Sequence, residues 1–153
     1  MLVVRRSALV VVSVLVAAGL AACGASTHTS TTGTTATAQA QIKSAYAKFF
    51  SSKTPLDTRV GLLQNGEKFK PVISALAKNP LASNTSASVS SVTLKGANDA
   101  KVVYTVNISG TAVPGLKNRT GTAVRENGTW KVGDASFCAL VSLQSTPSVC
   151  KKP

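Results

Sequence analysis

The stretch Val102-Val103-Tyr104-Thr105-Val106-Asn107-Ile108 puts Val102, Tyr104, Val106 and Ile108 on one side and Val103, Thr105 and Asn107 on the other. Alternation with a period of two marks a strand with one face in a core. The neighbouring residues turn this one strand into a sheet. Upstream, from Ser88, Val92 and Leu94 alternate with Ser91 and Thr93, and Gly96-Ala97-Asn98-Asp99 supplies the hairpin between the two strands. Downstream, after a loop holding Pro114-Gly115, a third strand is expected through Thr120, Thr122 and Val124. Asn127-Gly128 is a strong short-hairpin signal and leads into a fourth strand at Trp130-Lys131-Val132. The chain then passes through Phe137 and Cys138 to a short apolar piece, Leu140, Val141 and Leu143, read as one helical turn.

Further upstream the period changes. Between Gln39 and Ser52, Ile42, Ala45, Tyr46, Phe49 and Phe50 fall at helical spacing, with Lys43, Ser44 and Lys48 on the opposite side. Thr54-Pro55-Leu56-Asp57 reads as a helix start, with Thr54 as N-cap and Asp57 near the positive end of the dipole. Leu56, Val60 and Leu63 line that second helix, and Asn65-Gly66 is expected to stop it, with the glycine in the left-handed cap. A third helix carries Phe69, Val72, Ile73, Leu76 and Ala77. Pro71 restricts its regular part to begin near Lys70, and Asn79-Pro80 ends it. Helices followed by a meander of four antiparallel strands predict an α+β domain in which N-terminal helices pack on a curved sheet and the two enclose a cone.

The chain before this domain divides in two. Residues 1–22 have the layout of a secretory signal: Arg5 and Arg6, then an apolar run from Ala8 to Ala18 that is too short to span a bilayer. Leu20-Ala21-Ala22-Cys23 looks like a bacterial lipobox, which predicts cleavage between Ala22 and Cys23 and a diacylglyceryl group on the Cys23 thiol. Two acyl chains anchor a protein firmly where one does so marginally. A plain signal peptide with Cys23 incidental is the alternative. Residues 23–37 are almost wholly Thr, Ser, Ala and Gly and read as a flexible tether, also open to O-linked sugars. The single histidine, His28, falls in that tether, away from any rigid shell that catalysis or metal binding needs. Residues 38–153 form the single folded domain.

With Cys23 lipidated, Cys138 and Cys150 form the natural disulfide in an oxidising compartment, two free thiols being the alternative. There is no CxxC motif or Cys/His cluster, hence no expected metal site and no expected cofactor. The charge is lopsided, 17 Lys and Arg against 5 Asp and Glu; without Arg5 and Arg6 the balance is about +10. The basic residues are scattered rather than run together. Specific nucleic-acid binding is not expected of an exported protein; anionic headgroups or acidic wall polymers are the expected counter-charge, a merely solvated surface the alternative. The Asn-x-Ser/Thr triplets at Asn84, Asn107, Asn118 and Asn127 carry no weight in a bacterial lipoprotein.

The run Ser51-Ser52-Lys53-Thr54-Pro55-Leu56-Asp57-Thr58-Arg59-Val60-Gly61-Leu62-Leu63-Gln64-Asn65-Gly66, with Phe69-Lys70-Pro71 after it, resembles the low-molecular-weight secreted antigen family of mycobacteria and related actinobacteria. Gly121-Thr122-Ala123-Val124 and Gly128-Thr129-Trp130-Lys131-Val132 extend the likeness, which covers about residues 39–150. The resemblance implies a cystatin-like or nuclear transport factor 2-like cone and an exported envelope protein, lipid-anchored or shed. It supplies no catalytic residues.

Function is read as follows. The first reading is a non-enzymatic, membrane-anchored module holding a small apolar or amphipathic envelope molecule in the cone, with Tyr46, Phe50, Tyr104 and Trp130 near it; the alternative, which is the stronger for any one of the four, is that they simply fill the core. The alternative is a structural or interaction protein with a filled cone and a basic surface for anionic polymers or a partner protein. An enzyme would need a positioned acid or base; of the five carboxylates only Asp134, past the Trp130 strand, is placed to point inward, and it has no histidine partner. The ligand and the oligomeric state are not legible.

Overall fold

The computed structural model describes residues 29–151. The expected export signal, the Ala22–Cys23 cleavage and lipidation site, and His28 lie outside the described residues. Helix α1 (Thr29–Phe50) is followed by α2 (Leu56–Gly61), α3 (Gly66–Ala77) and a 3₁₀ turn at Pro80–Asn84. The strands β1 (Thr85–Leu94), β2 (Asp99–Ile108), β3 (Thr111–Ala112), β4 (Arg119–Glu126) and β5 (Thr129–Val132) come next. Helix α4 (Asp134–Val141) and a 3₁₀ turn at Ser148–Cys150 complete the chain. No helix among the described residues is long and apolar enough to cross a membrane.

The four long strands pair antiparallel in the order β1-β2-β4-β5, and two-residue β3 adds to β2. Strand β2 carries the expected alternation: Ala100, Val102, Tyr104 and Val106 are buried, while Asp99 and Lys101 are exposed. The Asn127-Gly128 hairpin has both central residues at positive φ (50° and 78°), the handedness that matches the twist of the flanking strands. On β4 the inward residues are Gly121 and Ala123, not the Thr120-Thr122-Val124 set. Their side chains are small because Tyr46 and Tyr104 come down on them: a Cβ built on Gly121 would lie 2.7 Å from the Tyr46 hydroxyl and 2.9 Å from Tyr104 Cε1. Pairing of β2 with β4 stops at Tyr104–Arg119. Beyond it, the loop before β4 folds back, and Val106 exchanges hydrogen bonds with Leu116 O and Val113 N at 3.1 Å each.

Both margins of the sheet are met at particular points by other parts of the chain. Past β5, Val132 N donates to Leu62 O (2.8 Å) and Gln64 N donates to Val132 O (2.9 Å), so the α2–α3 connection runs parallel to the strand end. Outside β1, Ser52 N donates to Thr85 O (3.3 Å) and Gln39 Nε2 to Val92 O (3.0 Å). The β1–β2 register shifts between Val89 and Ser91, a bulge at Ser90.

Ile42, Ala45, Tyr46 and Phe49 form the buried face of α1, as their spacing predicts. The helix begins at Thr29 rather than Gln39, so the later part of the expected tether, Thr29–Thr37, is helical. Once a packed segment has met the cost of nucleation, each added residue gains a hydrogen bond, and the helix runs back through Thr29–Thr37 although its threonines and Gly33 are poor helix formers. Pro55, not Thr54, occupies the N-cap of α2, and no side chain caps that helix. Asn65, not Gly66, takes the left-handed conformation (φ 52°). Asparagine tolerates that region, and the glycine is required for a different reason: as the first residue of α3, a Cβ there would run into the Val60 carbonyl. Helix α3 also starts earlier than Lys70, with Pro71 inside it. The proline forfeits only the bond to Glu67 O, on an exposed residue, while Phe69 and Ile73 anchor the helix on both sides. The apolar piece expected as one turn is the two-turn helix α4, whose Phe137 is buried between Phe49 and Phe69 at ring distances of 5.8 and 5.5 Å. Cys138 on α4 is bonded to Cys150, so the C-terminal segment is stapled to this helix. The architecture is the expected one: helices against a curled antiparallel sheet, α+β and cone-like.

Candidate functional site

The wide end of the cone is not filled. A cavity of about 230 Å³ lies where the end of α1, the end of α3, the start of β1, the end of β2 and helix α4 converge. Phe49 and Phe50 come from α1, Leu76 from α3, Val106 and Ile108 from β2, Leu116 from the folded-back loop, and Leu140, Val141 and Leu143 from α4. Leu143, at the rim, is the one large apolar side chain that is exposed among the described residues. The lining is overwhelmingly apolar, with Asn79, Thr85 and Gln144 as neutral polar members.

Among the described residues Arg59 is the only charged one in this lining. It reaches the cavity from α2, and its Nε donates to Phe49 O at 3.1 Å. That carbonyl is one of the last four of α1, which have no partner within the helix, so the side chain both caps α1 and is held in place by it. Partial burial lowers its pKa from the usual guanidinium value. Among the described residues no carboxylate pairs with it; the ion pairs are Lys70–Asp57 (2.8 Å) and Lys131–Glu126 (3.0 Å), both elsewhere. The two terminal nitrogens of Arg59 are therefore uncommitted donors beside an apolar space.

Of the aromatic residues expected near a pocket, Phe50 lines the cavity. Tyr46 and Tyr104 lie beneath it in the core, with Tyr104 stacked on Phe50 at 5.5 Å and Tyr46 tilted on Tyr104 at 5.1 Å. Trp130 borders a different hollow of about 260 Å³ between α1 and the β4–β5 hairpin, walled in part by Gln41, Ser44, Lys48 and Thr129. Ala45, Leu62 and the Trp130 ring complete that wall, so polar and apolar groups alternate on it where the first cavity presents a nearly continuous apolar lining. Asp134 stands at the N-terminus of α4, outside the cavity, where its carboxylate accepts from Asn65 Nδ2 at 2.9 Å and its N–H donates to Gln64 Oε1 at 3.3 Å. An acid in the first turn complements the helix dipole and ties α4 to the α2–α3 connection. Arg59, Leu116 and the α4 residues escaped sequence reasoning. Their common signal was weak: one basic residue on the short helix behind Pro55, and apolar residues after Asp134 in a stretch lacking an obvious cap.

The polar groups inside the cone serve one another. The Tyr46 hydroxyl donates to Thr122 O at 2.7 Å, Thr122 N donates to Ser136 Oγ at 2.7 Å, and Gly133 N donates to Thr122 O at 2.8 Å. Desolvation raises the Tyr46 pKa well above the phenol range and pushes Tyr104 up to about 12, so both hydroxyls keep their protons well past ordinary pH. Among the described residues no three His, Cys, Asp or Glu side chains come together as a set of metal ligands. What the arrangement can do chemically is enclose an apolar group and offer its end a cation.

No curated protein sequence matches the chain closely enough to count as a relative. A family model described as the C-terminal domain of the low molecular weight antigen MTB12 matches residues 34–148, from within α1 to the last turn before Cys150. That span takes in every strand, the cavity and Arg59, and covers well over half of the sequence; the chain belongs to the low molecular weight antigen MTB12 C-terminal domain family.

Proposed function

We propose that the domain is a non-enzymatic binding module that holds a small apolar or amphipathic molecule of the cell envelope in the cavity at the wide end of the cone. The observation that carries this reading is the cavity itself: about 230 Å³ of partly open space with a mainly apolar lining that includes Phe50, Leu76, Ile108, Leu116 and Leu140. A concave apolar lining open to water forgoes the dispersion contacts that a matching ligand supplies. An occupant would restore those contacts. An extracellular or envelope location is what membership of an antigen family suggests. Attachment to the outer membrane face through a lipidated Cys23 completes the proposal, placing the module beside its ligand.

Native mass spectrometry of the protein purified gently from its own host tests this. An added mass lost on denaturation is the expected result. A bare chain that also fails to take up an apolar fluorescent probe, in a manner blocked by Leu116→Trp, refutes it.

A second reading has its own support. Fifteen basic groups beyond residue 22 face five carboxylates, and among the described residues only two ion pairs form. A surface so short of counter-charge would bind an anionic envelope polymer or headgroup layer. Retention on such material that falls steeply with ionic strength is its signature; salt-independent retention would count against it.

A further inference from the structure

We infer that the cavity ligand is a single-chain amphiphile ending in a carboxylate, with the carboxylate on the terminal nitrogens of Arg59 and the chain running beneath Leu116 and Leu140. This rests on the proposed binding role and specifies its substrate class.

Three observations converge on it. The first is charge: a lone guanidinium stands in an apolar lining, and among the described residues no acidic side chain neutralises it. A cation at the edge of a low-polarity space strengthens its interaction with any anion that enters. The second is geometry. Nε is already committed to Phe49 O, which fixes the plane of the guanidinium and leaves the two terminal nitrogens as a fork suited to the two oxygens of a carboxylate. One positive charge balances one carboxylate, whereas a phosphate monoester would bring close to two charges and leave one of them unneutralised against Leu and Phe side chains. The third is size. An interior space of about 150 Å³ holds a six-carbon benzene ring; on that scale the 230 Å³ here accepts about nine carbons. This is one medium-length chain, or the first part of a longer one leaving past exposed Leu143. Two parallel chains would not fit.

The test compares ligands of one length on the full chain: decanoate, decanol, methyl decanoate and decyl phosphate, by calorimetry or by displacement of an apolar fluorescent probe. Decanoate is expected to bind at least about tenfold more tightly than decanol or the methyl ester, the size of one charge-assisted hydrogen-bonding contact. Decyl phosphate should bind more weakly than decanoate. Arg59→Gln should lower decanoate affinity by at least about tenfold and decanol affinity by clearly less, so that the advantage of the acid disappears; an equal loss for both ligands marks collapse of the site rather than loss of the head-group contact. If the acid and the alcohol bind equally, the head-group assignment is overturned although the binding module stands. Preference for decyl phosphate overturns the carboxylate assignment in the same way. If none of the four binds, both the inference and the binding reading fail. The wild-type comparison keeps the inference refutable even where Arg59→Gln unfolds through loss of the α1 cap.

Discussion

Replacing Gly121 by Ala tests how the cone is closed. The added Cβ would sit 2.7 Å from the Tyr46 hydroxyl, 2.9 Å from Ser136 Oγ and 2.9 Å from Tyr104 Cε1, each closer than carbon tolerates. None of the three neighbours is free to retreat. Tyr46 is hydrogen-bonded to Thr122 O, Ser136 to Thr122 N, and Tyr104 is held between Tyr46 and Phe50. Overpacking of this kind costs about 1–3 kcal/mol, and weakening the two hydrogen bonds adds about 0.5–1.5 kcal/mol each. Relief of the glycine's backbone entropy returns roughly 0.5–1 kcal/mol. The net expectation is a loss of about 3 kcal/mol, the centre of a range of about 1–5.5. Urea unfolding followed by Trp130, the single tryptophan and a buried one, reads it directly. The midpoint should fall by roughly 1–2 M with an unchanged slope. Pairing the substitution with Tyr46→Phe removes the nearest clash, so the double variant should be more stable than the sum of the single losses by about 0.5 kcal/mol or more. A Gly121→Ala protein within about 0.5 kcal/mol of the parent would refute the packing of α1 on β4 described above.

Three further outcomes are expected. Tyr46→Phe alone should cost only about 1 kcal/mol in the same urea assay, because Thr122 O keeps the Gly133 N–H at 2.8 Å and no carbonyl is orphaned; a loss above about 3 kcal/mol would mean that the hydroxyl holds more than this bond. In alkali, Tyr46 and Tyr104 hold their protons more tightly folded than unfolded, so their contribution is complete below the ordinary phenol pKa of about 10. It then declines as the pH rises toward about 12 for Tyr104 and beyond for Tyr46. The chain has just these two tyrosines, so phenolate absorbance should appear only as the fold is lost, and phenolate forming near pH 10 with circular dichroism unchanged would contradict their burial. Finally, the disulfide closes a loop across a sequence separation of 12, for which the chain-entropy estimate is about 3 kcal/mol. Cys138→Ser with Cys150→Ser should lose about that much in urea and weaken uptake of an apolar probe, since α4 forms one wall of the cavity; unchanged stability and uptake would show that α4 holds without its staple.

The layout was largely legible because its strongest signals are local. The alternation through Val102–Ile108, the Asn127-Gly128 turn and the spacing of Ile42, Tyr46 and Phe49 each encode a burial pattern without reference to the rest of the chain. What escaped depends on meetings between distant residues. The inward parity of β4 is set by Tyr46, dozens of positions away, which needs a small residue beneath it; read alone, Thr120-Thr122-Val124 looks like the richer face. Gly66 resembled a cap because its constraint comes from the Val60 carbonyl, which no propensity records. Tyr46, Tyr104 and Trp130 were expected near a pocket for their size, yet large aromatics fill a core as readily as they line a cavity. Arg59 carried only a weak local signal, since an arginine on a short helix is ordinarily a solvated one, and only the fold brings it to the end of α1.

The treatment of the sheet margins bears on how this domain meets other molecules. A bare strand edge is an invitation for a foreign strand to dock by its backbone, with a peptide, a misfolded copy or a neighbouring molecule each able to accept it. Here Val132 is already answered by Leu62 and Gln64 on one margin, and Thr85 and Val92 by Ser52 and Gln39 on the other, with the Ser90 bulge breaking the line between them. Each margin is thereby interrupted at particular residues, so a foreign strand would not find an unbroken run of backbone partners along it.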